Sequence, residues 1–171
     1  MELAIIAFRK MIVMFIILVV GIIAYKTKIV TKEGNSTLSD LLLLIVNPVV
    51  IFMSFQMEFT HELFIKLWIS IGFAVICHII AIAVSYIAIG KKVKDFEIER
   101  VSAIYSNCGF IGIPIISALF GQEGVFYLAA YIAVFNILLW TQGYMLMTGE
   151  KDKKVILKGI FSPCVIAAVL G

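Results

Sequence analysis

Tyr105-Ser106-Asn107-Cys108-Gly109-Phe110-Ile111-Gly112-Ile113-Pro114 lies within Val101–Gln122, a stretch free of charged residues and long enough to cross a bilayer. Most of that stretch suits a hydrophobic helix, but its middle does not. Proline at 114 has no N–H to give to the carbonyl of Phe110, and its ring clashes with that carbonyl. It also turns Ile113 away from helical angles. Gly109 and Gly112 remove side chains that would stiffen the same turn, while Ser106 and Asn107 bring hydrogen-bonding side chains just ahead of it. Backbone groups freed at this depth need partners, because hydrocarbon supplies none. A lone proline reads as a kink, which membrane helices tolerate. Ser, Asn, two Gly and Pro crowded between Ser106 and Pro114 favour a discontinuous helix instead, with a second half starting near Pro114, a favourable first helical position. The N–H groups at such a start carry partial positive charge and can receive a carboxylate. Discontinuous helices at the bilayer midplane hold the sites of secondary transporters.

The flanking sequence is that of a polytopic, all-α membrane protein. Apolar residues fill 63% of the 171 positions and charged residues 15%; a soluble domain is about half apolar and about a quarter charged. The uncharged blocks are Met11–Tyr25, Leu41–Met57, Leu67–Gly90, Val101–Gln122 and Gly124–Gly149, with a shorter run from Gly159 onward. A helix rising ~1.5 Å per residue needs about 20 apolar residues to cross a ~30 Å core. The last three full blocks meet that outright, the first if its helix begins near Leu3, the second if it begins near Thr37. The pattern predicts five spans, at about 3–25, 37–57, 64–90, 99–120 and 124–148, in a unit covering 1–149, then a link over 150–158 and the start of another span at 159–171. Arg9 and Lys10 before the first block have the look of a signal peptide, but no small-x-small cleavage site comes after it.

Basic residues set the expected orientation. Loops on one side receive Lys26, Lys28, Lys32, Lys91, Lys92, Lys94, Arg100, Lys151, Lys153, Lys154 and Lys158; the other side receives only Arg9, Lys10 and Lys66. Lysine and arginine collect in cytoplasmic loops, which places the loops near 26–36, 91–100 and 150–158 inside and the N-terminus outside. Arg9 and Lys10 argue locally for the reverse, and the total outweighs them.

No Ser/His/Asp or Cys/His catalytic grouping, phosphate loop or carboxylate pair is present, so the chain does not read as an enzyme, and its distribution of basic residues does not point to nucleic acid. Cys77, Cys108 and Cys164 show no metal or disulfide spacing. Among other polar residues, His78 sits midway along the third span, where an ionisable group is functional about as often as it is a hydrogen-bonded packing residue. Asn136 and Gln142 lie in the fifth span, offset by roughly 120° on a regular helix. Gln142 is the better placed to face a site; interhelical bonding is the plainer role for Asn136, and shaping the second helix the plainer role for Asn47. The expected substrate site is therefore Ser106, Asn107, Gly109, Gly112, Pro114 and Gln142, with His78, Asn136 and Asn47 in second rank. No Asp or Glu falls inside the uncharged blocks.

The run Ser106-Asn107-Cys108-Gly109-Phe110-Ile111-Gly112-Ile113-Pro114 resembles the SNxGFxGxP pattern of the auxin efflux carrier family. Val46-Asn47-Pro48-Val49-Val50-Ile51-Phe52 is similar to that family's second-helix segment, with proline and phenylalanine in place. Asn136-Ile137-Leu138-Leu139-Trp140-Thr141-Gln142-Gly143 resembles its fifth-helix N-x-x-x-W-T-x-G, and Ser162-Pro163 with the apolar run to Gly171 resembles the start of its sixth helix. The resemblance implies two inverted five-helix repeats (5+5), related in fold to bile acid/sodium symporter carriers, with a fourth and a ninth helix broken and crossing at the substrate. Spans one, two and six would form a scaffold and spans three to five a moving transport domain. The function implied is secondary active transport of small organic anions, such as dicarboxylates or auxin-like carboxylates, across the cell membrane. No cofactor is implied beyond a coupling ion, H+ or Na+, and the full-length protein would form a homodimer. Thirteen residues from Gly159 to Gly171 make about 20 Å of helix. The expectation is thus an incomplete N-terminal part whose partner is the missing second repeat; a non-transporting assembly subunit or degenerate half-carrier is the alternative.

Overall fold

A computed structural model of the chain describes residues 2–58, 60–149, 154, 157 and 161–170. Among them every regular element is helical. The first, α1 (Glu2–Lys26), buries no residue, and side chains such as Phe8 and Phe15 stand free of protein all around it. A helix apolar on every face and unburied has lipid as its solvent. It packs on α6, introduced below.

The second span opens at Lys32, ahead of Thr37, because the Thr31 hydroxyl caps it by accepting from Gly34 N–H at 3.1 Å. It runs as α2 (Lys32–Leu41), a wide turn over Leu42–Val46 and α3 (Asn47–Ser54), which carries Pro48 in its first turn. In the wide turn Asn47 N–H bonds back five residues, to Leu42 C=O. Such a turn spares the chain the carbonyl clash that a proline forces on a regular helix. The third span is α4 (His61–Ala88), capped by the Thr60 hydroxyl, which accepts from Leu63 N–H at 3.1 Å.

Phe96–Thr148 is the last of four stretches long and apolar enough to cross a membrane, and at 53 residues it is too long to cross once. Extended straight it would measure about 80 Å. It holds both the fourth and fifth spans: α5 (Phe96–Ile104), a break, a wide turn over Cys108–Gly112, α6 (Ile113–Leu138), a third wide turn over Leu139–Gly143, and α7 (Tyr144–Thr148). Inside α6 the chain doubles back at Gly121, whose φ of 65° and ψ of −152° are not helical. A Cβ on Gly112 would lie 3.4 Å from Leu128 Cδ2; on a straight helix the two residues would be about 24 Å apart. Gly149, at φ 70°, ends α7 in the left-handed turn that glycine favours. Most of the expected link at 150–158 lies outside the described residues. After it, α8 (Pro163–Leu170) packs on α3 and α6, and Ile51, Ala129, Ile132 and Ala167 from these three helices form the buried core.

Two polar clusters tie the ends of the bundle. At one end Lys66 Nζ lies 2.7 Å from Glu62 and 3.8 Å from Glu123, and Tyr127 O–H donates to Glu123 at 2.7 Å. The start of α4 is thereby pinned beside the Gly121 turn. At the other end Arg100 is 3% exposed and belongs to α5. Its Nε and Nη2 donate to the Ile89 carbonyl, just past α4, at 3.0 and 2.6 Å, and its guanidinium lies 4.1 Å over the Tyr86 ring. Arg100→Lys keeps the charge but loses the planar fork and much of the stacking. It is expected to destabilise the protein by about 1–2 kcal/mol, read as a lower thermal midpoint in detergent.

Candidate binding site at the broken helix

The break spans Tyr105 to Asn107. Tyr105 (φ −105°, ψ 89°) ends α5, and Asn107 (φ −78°, ψ 68°) caps the wide turn over Cys108–Gly112. Asn107 Oδ1 accepts from Phe110 N–H at 3.1 Å, and Cys108 N–H donates to the Ser106 carbonyl at 2.9 Å. Three residues therefore leave helical geometry, and the second half resumes at Cys108 rather than near Pro114. The reason is local. An asparagine side chain satisfies an N–H that would otherwise be orphaned, and Pro114 sits one turn later, in the first turn of α6.

The break opens on a cavity of about 400 Å³. One wall is Ser106 to Phe110; the second span contributes Leu43, Leu44, Asn47 and Ile51. The α6 end adds Ile132, Phe135, Asn136, Leu139 and Trp140, and Ser162 to Cys164 close the remaining side. Of the expected residues, Ser106, Asn107, Gly109, Asn47 and Asn136 line this one space. The Asn47 amide lies against Gly109, where an added Cβ would sit 3.8 Å from Asn47 Nδ2. Asn136 Nδ2 donates to the Ile132 carbonyl at 2.9 Å, which leaves its Oδ1 for another partner. Ser162 Oγ is buried with no hydrogen-bond partner. Among the described residues no charged side chain lines the cavity.

The other expected residues lie elsewhere. Gly112 packs on Leu128, and Pro114 is exposed. Gln142 is behind the cavity wall, its Oε1 2.7 Å from the Tyr105 hydroxyl. His78 is 1% exposed; its Nδ1 lies 2.7 Å from the Ala74 carbonyl, a contact that requires the proton on Nδ1. Its ring centroid is 5.0 Å from that of Tyr131 and 6.0 Å from that of Phe135, and Nε2 has no partner. Sequence reasoning assigns no role to Tyr105, Ser162 or the aromatic walls Phe110, Phe135 and Trp140. A hydroxyl-bearing residue directly before a helix break is the available signal for Tyr105.

An all-α bundle whose span breaks beside a polar-lined cavity has the build of a membrane transporter. A model of a family described as membrane transport protein matches residues 6–158. The chain belongs to that family, the family of the auxin efflux carriers, and is a multi-pass membrane protein. Neither a curated protein nor a solved structure matches it.

Proposed function

We propose that this chain supplies half of a secondary active carrier of small organic anions, of the dicarboxylate or auxin-like carboxylate class. The observation that carries the reading is the meeting, in one cavity, of a capped helix start with the amides of Asn47, Asn107 and Asn136 and the hydroxyls of Ser106 and Ser162. A carboxylate needs several N–H and O–H donors, and such donors bond a charged acceptor about twice as strongly as a neutral one. Held by dipoles rather than by a fixed cation, the anion can also leave. The apolar and aromatic walls suit the carbon body of the substrate.

Membership of the family supports the remainder of the reading. A second five-helix repeat of opposite orientation completes the carrier and brings a second broken helix to the cavity. The carrier sits in the cell membrane with its N-terminus outside, couples to H+ or Na+, and pairs as a homodimer when full-length. The test is counterflow of labelled malate in proteoliposomes holding the complete protein. Saturable exchange that a Ser106→Ala, Asn136→Ala variant weakens at least about tenfold is expected, from two lost contacts to a charged group. Wild-type rates in that variant would remove the cavity from the transport path.

A further inference from the structure

We infer that Tyr105 is the positioning residue of the anion site, a latch that sets the broken helix at a fixed distance from the wide turn facing it. The inference rests on the reading of the cavity as the substrate site. Both walls concerned are irregular backbone: Ser106 and Asn107 lie in the break, and Asn136, Leu139 and Trp140 lie in or just before the turn over Leu139–Gly143. Irregular segments have no regular ladder of hydrogen bonds to hold them, so something else must fix their separation.

Tyr105 joins the two directly. Its hydroxyl lies 2.9 Å from the Leu138 carbonyl and 2.7 Å from Gln142 Oε1, which bracket the wide turn. The hydroxyl has one hydrogen for two acceptors, so it bridges the turn whichever of them takes it. Its ring is equally confined. A Cβ on Gly143 would come 3.0 Å from Tyr105 Cε2, which makes Gly143 the residue that lets the ring lie flat on the turn. On its other sides the ring meets Phe135, at 5.6 Å and edge-on, and His78, at 6.2 Å. Phe135 is itself a cavity wall. Gln142 and His78 each keep a buried nitrogen without a partner. Their placement serves the latch at the expense of their own hydrogen bonding, as expected where a site's geometry outranks local satisfaction.

The latch makes no contact with the cavity contents, so removing it should loosen the site without removing a ligand group. The test uses Tyr105→Phe, Gln142→Leu and the double variant in the complete protein, with two readouts. The first is the half-saturating concentration and maximal rate of malate counterflow. The second needs no substrate: the rate at which a small water-soluble maleimide alkylates Cys108, a cavity-lining residue, with Cys77 and Cys164 replaced by alanine. Tyr105→Phe is expected to raise the half-saturating concentration about fivefold to tenfold, the loss of a buried hydrogen bond, with the maximal rate within about twofold. It should speed Cys108 alkylation several-fold. Gln142→Leu should do the same, and the double variant should be no worse than either single one, since all three break one unit. Unchanged half-saturation and unchanged alkylation would overturn the proposal. So would a fall in maximal rate alone that tracks the amount of folded protein, which is the mark of a merely structural tyrosine. Absent malate counterflow in the wild type would count against the transport reading for this substrate, and the latch would then stand or fall on alkylation.

Discussion

Asn107→Ala is expected to reduce malate counterflow at low substrate by about tenfold to a hundredfold. Two losses add in that variant. The side chain that accepts from Phe110 N–H disappears, a cap worth about 1 kcal/mol, and the helix start frays. The Nδ2 donor also leaves the cavity, and a hydrogen bond to a charged group is worth about 1.5–3 kcal/mol. Asn107→Asp separates the two effects. Aspartate caps a helix as well as asparagine does and is favoured by the charge at a helix start, so the thermal midpoint should hold or rise. A carboxylate in the cavity repels a carboxylate substrate, so flux should still fall. An Asp variant that transports like the wild type would show that the anion does not sit at this helix start.

Gly124→Ala is expected to be the most damaging methyl group that can be added to the protein. The new Cβ would lie 2.5 Å from Phe120 Cβ and 2.9 Å from Ile116 Cγ2, across the Gly121 turn. Phe120 Cβ is fixed to its own backbone, so relief requires the two arms of the hairpin to separate. Overpacking of this kind costs about 1–3 kcal/mol or more, and here it strikes the joint that sets the fifth span beside the fourth. Yield of folded protein and thermal midpoint should both drop sharply. Gly72→Ala is the control, because nothing lies within 4 Å of a Cβ there. As a plain helical position it should gain about 0.5–1 kcal/mol. Equal midpoints for the two variants would mean that the Gly121 hairpin is looser than its geometry.

The spans are legible in the sequence because charge delimits them. Lys66 and Lys91 flank one block and Arg100 and Glu123 another, and hydrocarbon excludes such residues. The existence of a break is legible too, from Ser, Asn, Gly and Pro in one turn's neighbourhood. Its course is not. Pro114 draws attention as the helix breaker, yet a proline in a first turn disturbs little, and the residue that decides where the helix resumes is the capping Asn107. The phase of side chains is harder still. A regular helix sets Asn136 and Gln142 about 120° apart, but the wide turn over Leu139–Gly143 advances each residue by less than the usual angle. Asn136 meets the cavity, while Gln142 is carried behind its wall to Tyr105. Ser162 cannot be found by pattern at all, since its place depends on a return of the chain to α3 and α6.

The wide turns carry a consequence for how such a chain can vary. Each is a place where one residue more than a regular helix needs has been absorbed without breaking the span. Losing one residue from the Leu139–Gly143 turn restores an ordinary helix and rotates everything after it by about 100°, whereas losing one from the middle of α4 rotates a regular helix with nowhere to take up the difference. Length changes of a single residue are therefore survivable at three defined depths in this bundle, and two of those depths, over Cys108–Gly112 and Leu139–Gly143, lie on either side of the cavity. Insertion and deletion, more than substitution, are the moves by which a lineage could re-aim the walls of this cavity while keeping every crossing intact.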